Sequence, residues 1–75
     1  MKELLLYMAQ SLVDHPEQVT VTEVPGEELV LQLRVAPDDM GKVIGRGGRI
    51  AHEIRTIIKS VAQRKGLRVS VDIVD

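Results

Sequence analysis

Apolar and polar positions recur along this chain with two different periods, and the switches between them mark the expected elements. From Lys2 to Asp14, Leu5, Met8, Ala9, Leu12 and Val13 fall at helical spacing, which predicts an amphipathic helix ended by His15-Pro16. Leu4, Leu6 and Tyr7 widen its apolar face beyond one stripe, enough to cover the edge of a small sheet or to meet a second subunit. Val19-Thr20-Val21-Thr22-Glu23-Val24 alternates β-branched residues and predicts a strand. Pro25-Gly26 suits the centre of a type II turn, where proline presets one angle and glycine accepts a positive one. Leu29, Leu31, Leu33 and Val35 then oppose Val30, Gln32 and Arg34, so a second strand should pair antiparallel with the first and turn its leucines to the core.

Ala36-Pro37-Asp38-Asp39 is a helix start, with proline in the first turn and aspartates near the positive helix end. That helix is short, because Gly45 ends it. Ile50, Ile54, Ile57, Ile58 and Val61 define a long amphipathic helix from about Gly48 to Lys65, with Gly66 as its stop. Leu67, Val69, Val71 and Ile73 alternate with Arg68, Ser70 and Asp72 in a third strand. Two helices separate it from the second strand, so those two strands should be parallel neighbours. The expected architecture is α+β, in the order α-β-β-α-α-β, with a three-stranded mixed sheet and helices packed on one face. It spans residues 1–75 as a single domain without linker or tail.

The segment Val43-Ile44-Gly45-Arg46-Gly47-Gly48-Arg49-Ile50 breaks both periods. Glycine inside a helix costs about 1 kcal/mol relative to alanine, so these residues predict a tight turn between helices. Amides of such a turn, placed before a helix, point out at the positive end of its dipole and offer a seat for phosphate. The mononucleotide loop G-x-x-x-x-G-K-[ST] is absent, and a G-x-G-x-x-G fingerprint begun at Gly45 would place its last glycine at Ile50. The four-residue G-x-x-G clamp does fit, as Gly45-Arg46-Gly47-Gly48; in KH modules it holds the backbone of about four nucleotides. The longer pattern V-I-G-x-x-G-x-x-I matches Val43, Ile44, Gly45 and Gly48, with Ile50 one position early. A plain corner between helices needs one glycine and gives no reason for Lys42, Arg46 and Arg49 to crowd it.

The net charge of −1 hides a segregation. Residues 1–39 carry two basic and eight acidic side chains, and residues 40–75 eight basic and three acidic ones. Binding to phosphates follows the local basic surface rather than the total, so the second half is the candidate. Tyr7 is the sole aromatic residue, which excludes a base-stacking platform. Cysteine is absent, excluding disulfides and thiolate metal sites and suiting a cytoplasmic location. No apolar run is long enough to cross a membrane.

Motif, element order and size together resemble the type II KH arrangement, and across the whole chain the sequence is similar to the small single-KH RNA-binding proteins of bacteria, the KhpA family. The resemblance implies sequence-tolerant binding of single-stranded RNA without catalysis or cofactor, as an RNA chaperone or post-transcriptional regulator. It also implies a homodimer, or a heterodimer with a larger KH-containing protein of the Jag type. Carried onto this chain, the clamp is Gly45, Arg46, Gly47 and Gly48, the apolar floor is Ile44 and Ile50 with Ile44 buried, and Lys42 and Arg49 flank the phosphates. The variable loop of type II modules corresponds to the short Arg64-Lys65-Gly66, which leaves one wall of the groove well defined.

Catalysis finds little support. His15 and His52 have no histidine or cysteine at metal-ligand spacing, and Glu27-Glu28 and Asp38-Asp39 stand where turns and helix starts favour acids. The alternative reading is a KH-fold interaction module that dimerises through its glycine loop and binds little RNA. Arg46 and Arg49 separate the two, since an apolar interface gains nothing from them and phosphates do.

Overall fold

The computed structural model describes residues 1–74, so Asp75, the last residue of the expected span, lies outside the described residues. Helix α1, Lys2–Leu12, buries Leu5 and Ala9 and half-buries Leu4, Leu6 and Met8. It stops two residues before the predicted end. Val13 is already extended, and a 3-10 turn follows at Pro16–Gln18, because a residue preceding proline is driven out of helical angles.

Strands β1, Thr20–Val24, and β2, Leu29–Arg34, pair antiparallel with Val21 opposite Leu33. The last pair is Val24 with Val30, and Gly26 lacks a positive φ, so the connection is a longer bend instead of the expected type II turn. Five residues, 25–29, separate that pair along the chain, a loop length usually built around a type I turn, which needs no positive φ. Leu29 turns its N–H the other way, to the Arg68 carbonyl at 2.9 Å.

A 3-10 turn at Pro37–Asp39 leads into helix α2, Met40–Ile44, and the glycine segment leads into helix α3, Arg49–Arg64. Helix α3 buries Ala51, Ile54, Ile58 and Ala62. This stripe differs from the predicted one, for Ile57 is 46% exposed and Val61 only half-buried. The alanines let the helix lie close to the sheet, and Ile57 falls on the flank that faces α1. Gly66, at φ +70°, closes α3: its N–H reaches the Gln63 carbonyl at 3.0 Å and that of Leu67 reaches Ala62 at 2.9 Å. Leu67 is thereby held in the helix cap and stays exposed, so β3 covers only Val69–Ile73.

Strand β3 runs parallel to β2, with Leu31 beside Val71, and the sheet order is β1-β2-β3. Val21, Leu31, Leu33, Val69 and Val71 meet Leu5, Ala9, Val43, Ile54, Ile58 and Ala62 in one core. Thr20, Thr22 and Arg34 on the opposite side of the sheet are exposed, so all three helices cover one face. The consequence for function is geometric. Val43 and Ile54 anchor α2 and α3 in the core, and the glycine segment between them is held out at the end of the helix layer.

Candidate nucleic-acid interface

Helix α2 turns Val43 fully into the core and leaves its neighbour Ile44 37% exposed. Ile44 is therefore not the buried residue that the sequence suggested. Adjacent positions on a helix point about 100° apart, and Val43 takes the inward one. An apolar side chain open to solvent at the mouth of the loop remains available as a contact.

Gly45 has φ +76° and ψ 174°, a combination essentially restricted to glycine. Its N–H closes α2 onto the Gly41 carbonyl at 2.9 Å. A Cβ at this position would lie 2.6 Å from Cγ1 of Ile50, so glycine is required twice, for the angle and for the packing of Ile50. Gly47 and Gly48, at φ +64° and +76°, are left-handed, and a Cβ on either would meet nothing. Their requirement is the backbone angle alone.

The loop is held by its own hydrogen bonds. Gly48 donates to the Gly45 carbonyl at 3.1 Å, and the Arg49 N–H donates to Arg46. Those two amides are thus engaged inside the turn rather than turned outward as expected. What remains open at the turn is the positive end of the 16-residue α3, capped by Gly48 without a side-chain hydrogen bond and with no acid in its first turn. Most helices gain about 0.3–1 kcal/mol by placing acids there. This one places Arg49 there, with Arg46 beside it; both are exposed, and neither forms an ion pair among the described residues.

Lys42 is placed differently. Its Nζ lies 3.1 Å from Asp14 Oδ2 and 3.5 Å from Asp39 Oδ1. The hydrogen bond and charge of Asp14, helped by Asp39, raise its pKa above the ordinary lysine value. Asp39 itself is fully buried, and its two oxygens accept the backbone N–H groups of Asp14 at 3.1 Å and His15 at 2.9 Å. Burial opposes its charge, yet those donors together with His15 and Lys42 outweigh it and hold the carboxyl below its usual value of 3.8. Sequence reasoning took Asp39 for a helix-start acid. The signal for more was its distance of three residues from Lys42 together with the proline at Pro16, which leaves the preceding amides in need of acceptors.

A shallow apolar groove runs between α1 and α3, lined by Tyr7, Leu12, Ile50, Ile54 and Ile57, with Glu53 as its one charged residue. Arg55, on α3, donates its Nε–H to the Val71 carbonyl at 3.2 Å and so ties α3 to the outer edge of β3. Among the described residues no cluster of His, Cys, Asp or Glu could hold a metal, and no helix is long and apolar enough to cross a membrane.

Two outcomes follow from this geometry. Gly45→Ala should lower stability by at least about 2 kcal/mol in urea denaturation, and Gly47→Ala by about 1 kcal/mol; equal losses would show that Ile50 moves aside freely. Because the folded-state pKa of Asp39 is depressed, its stabilisation is present above the ordinary value and is lost as the pH falls through the lowered one. Melting temperatures of the wild type should therefore fall more steeply below about pH 4 than those of Asp39→Asn, and parallel curves would contradict the assignment.

A family model described as "KhpA/KhpB, KH domain" matches residues 2–73. The RNA-binding protein KhpA of Clostridium acetobutylicum is 56% identical over 75 residues, covering 99% of this chain and all of the relative. The KhpA proteins of Clostridium perfringens and Treponema pallidum are 55% and 51% identical, over 99% of this chain and 100% and 94% of their own. Among solved structures, a variant of Era from Aquifex aeolicus bound to GDP and aluminium fluoride superposes with a TM-score of 0.58 at 19% identity. The likeness covers 96% of this chain and 28% of that one, and it shows the fold alone. By the extent of the family match and the identity to these relatives, the chain belongs to the KhpA/KhpB KH-domain family.

Proposed function

We propose that this protein binds single-stranded RNA by its sugar-phosphate backbone, with Gly45, Arg46, Gly47 and Gly48 as the clamp and Arg49 beside it. The observation that carries this reading is the uncompensated positive end of α3, where Arg49, with Arg46 just before it, stands in place of the acids a helix start favours, neither of them paired among the described residues. Relatives 51–56% identical that are named RNA-binding proteins support it. Ile44 and Ile50 flank the clamp and offer apolar contact to a base. The one aromatic side chain, Tyr7, is on α1, so affinity rests on phosphates and discriminates weakly among sequences. Weak, sequence-tolerant binding suits an RNA chaperone or post-transcriptional regulator in the cytoplasm, acting without catalysis.

A second reading concerns assembly, and the apolar groove favours it. Tyr7, Leu12 and Ile57 are 71%, 40% and 46% exposed around one nearly uncharged surface. We infer that this groove, rather than the glycine loop, is where a second KH domain docks, either another copy of the chain or a larger partner of the Jag type. Such a dimer leaves Arg46 and Arg49 free and brings two clamps into one particle. RNA binding and dimerisation then coexist instead of competing for the loop.

Arg46→Asp with Gly47→Asp should abolish binding to a short single-stranded RNA while circular dichroism stays unchanged. A side chain at Gly47 meets open space, and aspartate tolerates left-handed angles better than most residues. Undiminished affinity in the folded variant would refute the clamp. For assembly, Ile57→Glu should shift sedimentation from dimer to monomer without loss of helicity. A dimer that survives this substitution is not built on the groove.

A further inference from the structure

Lys42 was expected among the phosphate contacts, and in the structure its ammonium pairs with two carboxylates. The side chain of Asp39 is 1% exposed, and Asp39 is the single buried charged residue among the described ones. It has three partners on two separate pieces of chain: the N–H groups of Asp14 and His15, beyond the end of α1, and Lys42, one turn onward in α2. The two amides need an acceptor because Pro16 stops the helix that would have supplied other geometry for them. Lys42 then bridges back, its Nζ touching Asp14 and Asp39 together.

We propose that Asp14, Asp39 and Lys42 form a latch that fixes the orientation of α2 and so positions the clamp, with Lys42 acting as a positioning residue and not as a phosphate contact. The assignment rests on the RNA-binding reading for its functional meaning and on geometry for its structural part. Helix α2 has five residues, too few to hold its own direction. Its far end is Ile44, and the clamp begins at the next residue, Gly45, whose N–H completes the helix. Two restraints therefore set the angle at which the chain leaves for the loop: Val43 in the core and the latch on the preceding turn. Partners within 3.5 Å on both sides keep the Lys42 ammonium at the α1–β1 connection, whereas Arg46 and Arg49 have no such partner among the described residues.

The test compares Lys42→Met with Arg49→Met in a salt titration of a short mixed-sequence single-stranded RNA, alongside melting curves and amide hydrogen exchange. For Arg49→Met the slope of log affinity against log salt should fall by about 0.7, the value of one phosphate contact on a single strand, with the melting temperature unchanged. For Lys42→Met the slope should match wild type, while the melting temperature falls and the Gly45 and Gly48 amides exchange several-fold faster. Lys42→Arg should restore both protections, since a guanidinium can pair with the same two carboxylates. Asp14→Asn, at an exposed side chain, repeats the exchange measurement should Lys42→Met fail to fold. A slope reduced by about 0.7 in Lys42→Met, with unaltered melting and exchange, would make Lys42 a phosphate contact and overturn the latch. If wild type binds no RNA, the clamp reading fails, and exchange at Gly45 and Gly48 still decides whether the latch exists.

Discussion

The chain has to turn from α2 into α3 within four residues while both helices keep their apolar sides in the same core. Val43 and Ile54 fix the two ends. Each fully buried side chain of this kind contributes about 1.5–3 kcal/mol, which offsets the backbone entropy lost in ordering Gly45, Gly47 and Gly48. The tightest point is Gly45, where Ile50 packs against a backbone without Cβ. This contact ties the shape of the loop to the start of α3. A turn suspended between two core anchors is preorganised, which on the proposed reading lets RNA meet it without first ordering it.

Charge placement explains how a chain with net charge −1 presents a locally basic surface at the glycine turn. The acids lie mostly in the first half, and two of them, Asp14 and Asp39, take up Lys42. What remains near the loop is the end of the α3 dipole with Arg46 and Arg49, free of nearby carboxylate partners among the described residues. This arrangement is unfavourable for a helix in isolation, and on the proposed reading an RNA phosphate compensates it. The groove between α1 and α3 is a different kind of surface, apolar and nearly uncharged.

Much of the fold was legible in the sequence because periodicity, proline and glycine act locally. The order of elements, the parallel pairing of β2 and β3 and the glycine turn all follow from local signals. The early end of α1 and the exposure of Ile44 have local causes, and the other departures depend on how the elements pack together. Strand pairing stops at Val24 and Val30, and the five-residue connection so set leaves Gly26 without the positive φ its dipeptide favours. Ile57 fits the apolar periodicity of α3 but lies on the flank facing α1, and Ala51 and Ala62, weak signals by hydropathy, occupy the core. At the loop, glycine angles and exposed arginines were foreseeable. The capture of Lys42 was not, since Asp14 lies 28 positions away in the chain.

The central claim is that the Gly45–Gly48 turn is where RNA meets this protein, and mapping amide chemical shifts during a titration with short single-stranded RNA tests it most directly. The account predicts that Gly45 to Ile50 move first and furthest, with Ile44 beside them, while amides of the open sheet face around Thr20, Thr22 and Arg34 stay in place. Largest shifts on that sheet face, or along the α1–α3 groove with the glycine turn unmoved, would contradict it.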